Sequence, residues 1–116
     1  MDRRSPSTDV VDGVLAALAD PTRRQLLDLL AARGQATATT LADELPVSRQ
    51  AVVKHLSVLD GAGLVDSVKV GREVRYAVSP GALDTTARWM AALAADWDRR
   101  LAKIKRVAEA AERDLK

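Results

Sequence analysis

The sequence predicts a mainly α-helical domain with one small β-hairpin, and three observations predict it. Apolar residues recur at helical spacing through most of the chain. The period changes to alternation only over residues 64–78, and from Leu83 onward apolar positions repeat at intervals of four and three. A length of 116 residues suits one domain, and 47% hydrophobic with 29% charged residues suits a packed core rather than a disordered chain. With two Trp, one Tyr and no Phe, that core is built from Leu, Val and Ala.

Composition excludes several chemistries. The absence of Cys removes disulfides, thiolate ligands and thiol nucleophiles together, and a single imidazole, His55, leaves no nucleophile and base pair and no usual N/S zinc set. No cofactor, metal site or catalytic group is expected. No apolar run approaches the roughly 20 residues that cross a bilayer, and Met1-Asp2-Arg3-Arg4 leads into no apolar signal segment. A cytoplasmic protein without a membrane partner is the expectation. The net charge is only +2, but residues 47–76 hold five basic side chains against three acidic ones. The placement of those five matters more than the total.

The elements follow in order. Residues 1–8 read as a flexible N-terminal arm, with Thr8 available to cap a first helix carrying Val11, Val14, Leu15 and Leu18. In Ala19-Asp20-Pro21-Thr22, Asp20 caps and Pro21 takes the first helical position, where its missing N–H costs nothing. Leu26, Leu27, Leu30 and Ala31 carry the second helix to about Arg33, and Gly34 stops it. After a threonine-rich connection, Thr39 or Thr40 caps a brief helix with Leu41, Ala42 and Leu45, ended by Pro46. Ser48 then caps a helix from Arg49 to Ala62 whose core positions are Val52, Leu56 and Leu59. Two short helices around Leu45-Pro46-Val47-Ser48 form a helix-turn-helix.

Leu64–Val70 and Glu73–Val78 alternate apolar with polar residues around Gly71-Arg72, which predicts a hairpin directly after the second helix of the motif. A basic hairpin in that place is a wing, so the fold is a winged helix-turn-helix over residues 9–80. Ser79-Pro80 restarts a helix over residues 81–116 of the same domain. Leu83, Ala87, Met90, Ala94, Trp97, Leu101, Ile104, Ala108, Ala111 and Leu115 form a heptad seam, widened by Leu93. A seam over roughly 35 residues implies a helix of about 50 Å. A domain this small cannot cover it alone, and a second copy around a two-fold axis is the simplest partner.

The fragments Ala19-Asp20-Pro21-Thr22-Arg23, Leu41-Ala42-Asp43-Glu44-Leu45, the run Val47 to Leu59 and Ala62-Gly63-Leu64-Val65 stand in register. Together they resemble the ArsR family of winged helix-turn-helix transcriptional repressors, over about residues 10 to 80. The resemblance implies a homodimer joined through the first and last helices, which binds operator DNA and usually releases it when a ligand arrives. It thus adds Val11 and Leu15 to Leu83, Met90, Leu93, Ala94, Trp97, Leu101 and Ile104 as expected dimer contacts. Metal-sensing members carry cysteines in the helix before the recognition helix, or His and carboxylate ligands in the last helix. Here those regions read Thr40-Leu41-Ala42-Asp43-Glu44-Leu45 and a final helix without His, so the chain resembles the branch that does not sense metal. Gly61, late in the recognition helix, is a further departure that costs about 1 kcal/mol against Ala.

Base reading is expected from Arg49 and Gln50, because Arg to guanine and Gln to adenine are the favoured bidentate contacts in the major groove. Ser48 caps and is placed for a phosphate, Val53 for a thymine methyl, Lys54 for a phosphate, and Ser57 lies on a neighbouring face; the bland alternative is a solvated helix. Lys69, Arg72 and Arg75 reach the minor groove or its phosphates, or else protect exposed strands. His55 reads as a partly buried, hydrogen-bonded histidine, with a phosphate contact as the alternative. Arg23 and Arg24 either touch phosphate or pair with Asp20 or Asp28. Trp97 suits interface core, Trp89 lies off the seam against the body, and the basic cluster Arg99 to Arg106 is balanced by nearby acids as a solvated face.

The expected function is a sequence-specific, homodimeric DNA-binding repressor on a palindromic operator. An unidentified small-molecule or protein effector near Met90, Leu93 or Trp97 would change the separation of the recognition helices. The rival is a winged-helix protein-interaction module with incidental DNA binding.

Overall fold

Three helices start on a side-chain oxygen that accepts first-turn amides lacking a carbonyl partner. In the computed structural model, which describes residues 6–115, the Asp20 carboxylate accepts from Thr22 and Arg23 at the start of α2 (Pro21–Arg33). Ser48 Oγ accepts from Ala51 at the start of α4 (Arg49–Gly61). Thr37 Oγ1 accepts from Thr40 at the start of α3 (Ala38–Asp43). The last case corrects the expected Thr39 or Thr40 cap. Ala36–Thr37 is a short strand, β1, so the extended chain ends at Thr37 and the helix begins one residue later.

The first helix, α1 (Pro6–Leu18), begins two residues before the expected Thr8 cap; the arm expected over residues 1–8 otherwise lies outside the described residues. Leu45 also falls beyond α3, which ends at Asp43, because the residue before Pro46 is pushed out of the helical region. Gly61 is the last residue of α4 rather than an interior one, which reduces the cost expected of it. The stop itself comes from Gly63 at φ +77°, which lets Gly63 and Leu64 return their amides to the carbonyls of Asp60 and Leu59.

That turn feeds β2 (Val65–Val70) and β3 (Glu73–Val78), joined at Gly71-Arg72. The sheet order is β1-β3-β2, all antiparallel, with Ala36 opposite Tyr76 and Val68 opposite Arg75. The sequence missed the third strand, since two residues carry no readable alternation. α5 (Pro80–Asp114) follows, 35 residues or about 50 Å long. No helix among the described residues is long and apolar enough to cross a membrane.

The chain divides into two units, Met1–Thr86 and Ala87–Lys116. The first holds the core, in which Leu26, Leu30, Leu41, Leu56, Leu59 and Leu64 have no exposed surface. At about 1.5–3 kcal/mol per fully buried side chain, these leucines are its main favourable term. Val11, expected at a dimer contact, is only 3% exposed within its own chain, whereas Leu15 on the same helix is 42% exposed. The buried face of α1 runs through Val11, Val14 and Ala17, so Val11 has no surface left for a partner.

Arg23 and Arg24 close the open end of α1. Arg23 donates to the carbonyls of Ala16 and Ala17, and Arg24 donates to that of Leu18, cations at the negative end of a helix. Arg23 also lies 3.9 Å from Asp20 and 3.4 Å from Nδ1 of half-buried His55. The expected pairing of Arg23 with Asp20 and the hydrogen-bonded reading of His55 both hold. Desolvation raises the Asp20 pKa, but the amides of Arg23 and Thr22 and the charges of His55 and Arg23 outweigh it and hold the carboxyl below its usual value. A depressed folded-state pKa gives stability that is present above the unfolded value, about 3.9, and is lost as pH falls through the folded value. Asp20→Ala therefore lowers the urea midpoint at pH 7, and its gap to wild type narrows below about pH 4. An equal gap at both pH values would refute the cap's charge dependence.

Candidate nucleic-acid interface

At about 100° per residue, Arg49, Gln50, Val53, Lys54 and Ser57 span an arc of about 140° on α4, while Val52, Leu56 and Leu59 fall in a separate arc of about 60°. Burial follows that division: the three apolar residues have no exposed surface and the five others are exposed. Ser48 is also exposed, though its oxygen is occupied as the cap. Tight packing of one face therefore fixes the direction in which the other presents its polar groups.

On the hairpin, cross-strand partners share a face. Lys69 stands opposite Val74, and Arg75 stands opposite Val68 one residue further along, so Lys69 and Arg75 point to opposite faces. Exposed Arg72 occupies the tip. Arg75 Nε donates to Glu73 at 3.2 Å, and Arg75 lines a hollow with Arg33, Gln35 and Thr37. Arg75 is not among the residues lining the cleft that Arg49 and Val53 share with the hairpin.

A cleft of 590 Å³ does join α4 to the wing. Its walls are Thr37, Ala38, Thr39 and Thr40 from β1 and α3, Arg49 and Val53 from α4, and Arg72, Glu73, Val74 and Tyr76 from the hairpin. Arg49 Nε donates to Thr39 Oγ1 across it at 3.1 Å. Thr39 and Tyr76 were not anticipated as site residues; the cluster of threonines at 37, 39 and 40 was the available signal.

The chain is 31% identical over 80 residues to the transcriptional repressor SdpR of Bacillus subtilis, covering 69% of this chain and 88% of that repressor. It also superposes on an ArsR-like transcriptional regulator from Rhodococcus sp. RHA1 with a TM-score of 0.79 and 48% identity, covering 90% of this chain and 97% of that one. The chain belongs to the ArsR family. A helix-turn-helix domain family also matches residues 18–68, which run from the end of α1 into the wing. A further neighbour, from Mycobacterium bovis, is described as a homodimeric winged helix-turn-helix DNA-binding domain of a possible ArsR-family regulator. It is 30% identical, with a TM-score of 0.62, covering 84% of this chain and 87% of that one. This ArsR-family chain is thus a transcriptional regulator of the winged helix-turn-helix type.

In the second unit of this ArsR-family chain, the seam residues Met90, Leu93, Ala94, Trp97, Leu101 and Ile104 are all exposed. Leu83, at the other end of the seam, instead packs partly against the core of the first unit. Trp89, expected to pack on the body, keeps 45% of its surface exposed. The basic cluster is paired as expected in part: Asp96 holds Arg99 at 3.5 Å and Arg100 at 3.2 Å, and Arg100 lies over the Trp97 ring at 5.6 Å.

Proposed function

We propose that the protein is a homodimeric repressor that occupies a palindromic operator, with its two α4 helices in successive major grooves about 34 Å apart. The observation that carries this reading is the exposed arc of α4 beside a fully buried one. Arg49 and Gln50 read base edges, while Ser48, Lys54 and Ser57 contact phosphates and Val53 meets a thymine methyl. From the wing, Lys69 and Arg72 contact the neighbouring backbone; Arg75 is set aside for Glu73.

Self-association through the seam of α5 is supported by its row of exposed apolar side chains and by the homodimeric neighbour. Regulation without metal is the reading that the lack of Cys favours.

The test is selection of bound sequences from a random duplex library by the purified protein at near-physiological salt, because phosphate contacts make affinity steeply salt-dependent. An inverted repeat with half-sites one helical turn apart is the expected result. Recovery of a single unrepeated site would rule out the two-fold arrangement, and recovery of no sequence at all would rule out the base-reading role.

A further inference from the structure

We infer that Thr39 sets the base specificity of Arg49 without itself touching a base. This inference rests on the proposed role of Arg49. An arginine has five N–H donors on a planar fork, and it can meet guanine either with its two terminal nitrogens or side-on through Nε. Here Nε is already engaged by Thr39 Oγ1 at 3.1 Å. The side-on approach is blocked, and the two terminal nitrogens remain as the pair that meets guanine O6 and N7.

The anchor is a rigid one. Thr39 follows buried Ala38 and precedes fully buried Leu41 by two residues, so α3 is fixed to the core beside the cleft. A β-branched side chain has few rotamers to choose from. Arg49 is exposed and would otherwise lose much rotamer freedom on binding, and the Thr39 bond removes part of that loss in advance. Glu73, the carboxylate in the same cleft, is engaged by Arg75 at 3.2 Å. Thr39 is therefore a positioning residue, and the cleft between α3 and α4 orients the reading head of α4.

The experiment compares full-length wild type with Thr39→Val, Thr39→Ser and Arg49→Ala. Each is titrated at two salt concentrations with the operator recovered by selection and with duplexes in which single guanines of a half-site are replaced. Thr39→Val is expected to reduce discrimination at one guanine by about three- to tenfold, the range of a single hydrogen bond. Thr39→Ser is expected to retain that discrimination, and the salt dependence of both is unchanged. Full discrimination in Thr39→Val, together with its loss in Arg49→Ala, overturns the role of Thr39 alone. Unchanged discrimination in Arg49→Ala overturns the base-reading role of Arg49 and the Thr39 role with it. Equal weakening of all duplexes by Thr39→Val, with discrimination at every guanine unchanged, makes Thr39 a phosphate contact and also overturns the inference.

Discussion

Replacing Arg49 and Gln50 together by alanine removes the preference for one operator sequence and leaves weak, salt-sensitive binding to any duplex. Each lost base contact is worth about 1–3 kcal/mol, so the pair costs roughly 2–6 kcal/mol per half-site in discrimination against random DNA. The phosphate contacts from Lys54, Lys69 and Arg72 persist, so the salt slope of the residual binding changes little. Both side chains are exposed, and Arg49 has one side-chain hydrogen bond, to Thr39, so thermal stability stays near that of wild type. Competition titrations between operator and unrelated duplex measure the ratio. A ratio that does not change would show that α4 is not the reader and would favour the protein-interaction module, for which these two residues are irrelevant.

Leu101→Asp with Ile104→Asp converts the protein to a monomer and lowers operator affinity by on the order of 100-fold or more. Within the chain these side chains are 56% and 62% exposed, so neither charge disturbs the buried core of the first unit. In a dimer they would meet their counterparts across the seam, where an unpaired buried carboxylate is far more costly than the apolar contact it replaces. Loss of the dimer separates two half-sites that otherwise bind as one event, and the second set of contacts no longer comes at high effective concentration. Sedimentation equilibrium reports the mass and operator titration reports the affinity. A double variant that stays dimeric would move the interface away from this stretch of α5. A monomer that keeps full operator affinity would show that two-fold binding is not needed.

Much of the site was legible because its determinants are local. Ser48 caps and Arg49 begins a helix whose apolar spacing alone states which residues face inward, and the exposed arc is what remains. The wing was legible through alternation and Gly71-Arg72. Arg75 was not, because alternation shows that neighbouring residues alternate faces but not which face meets α4. Thr39 escaped notice for a related reason: it lies ten residues from Arg49 and the two meet only when α3 and α4 pack. Arg23 and His55, 32 residues apart, are the same kind of pair.

What the sequence determined by itself were the features set within a few residues: the caps at Asp20 and Ser48, the Gly34 stop, the helical and alternating periods, and the heptad seam. Each is a balance between a backbone group and a side chain one turn away, so no distant contact is needed to decide it. Only the tertiary structure decided that Ala36–Thr37 becomes a strand, since two residues are extended only when β3 supplies their partners. It also decided that Val11 is spent on its own core, that Arg75 turns to Glu73, and that Thr39 holds Arg49. These outcomes depend on which surfaces meet after the helices pack, and long-range contact is the information that local periodicity does not carry.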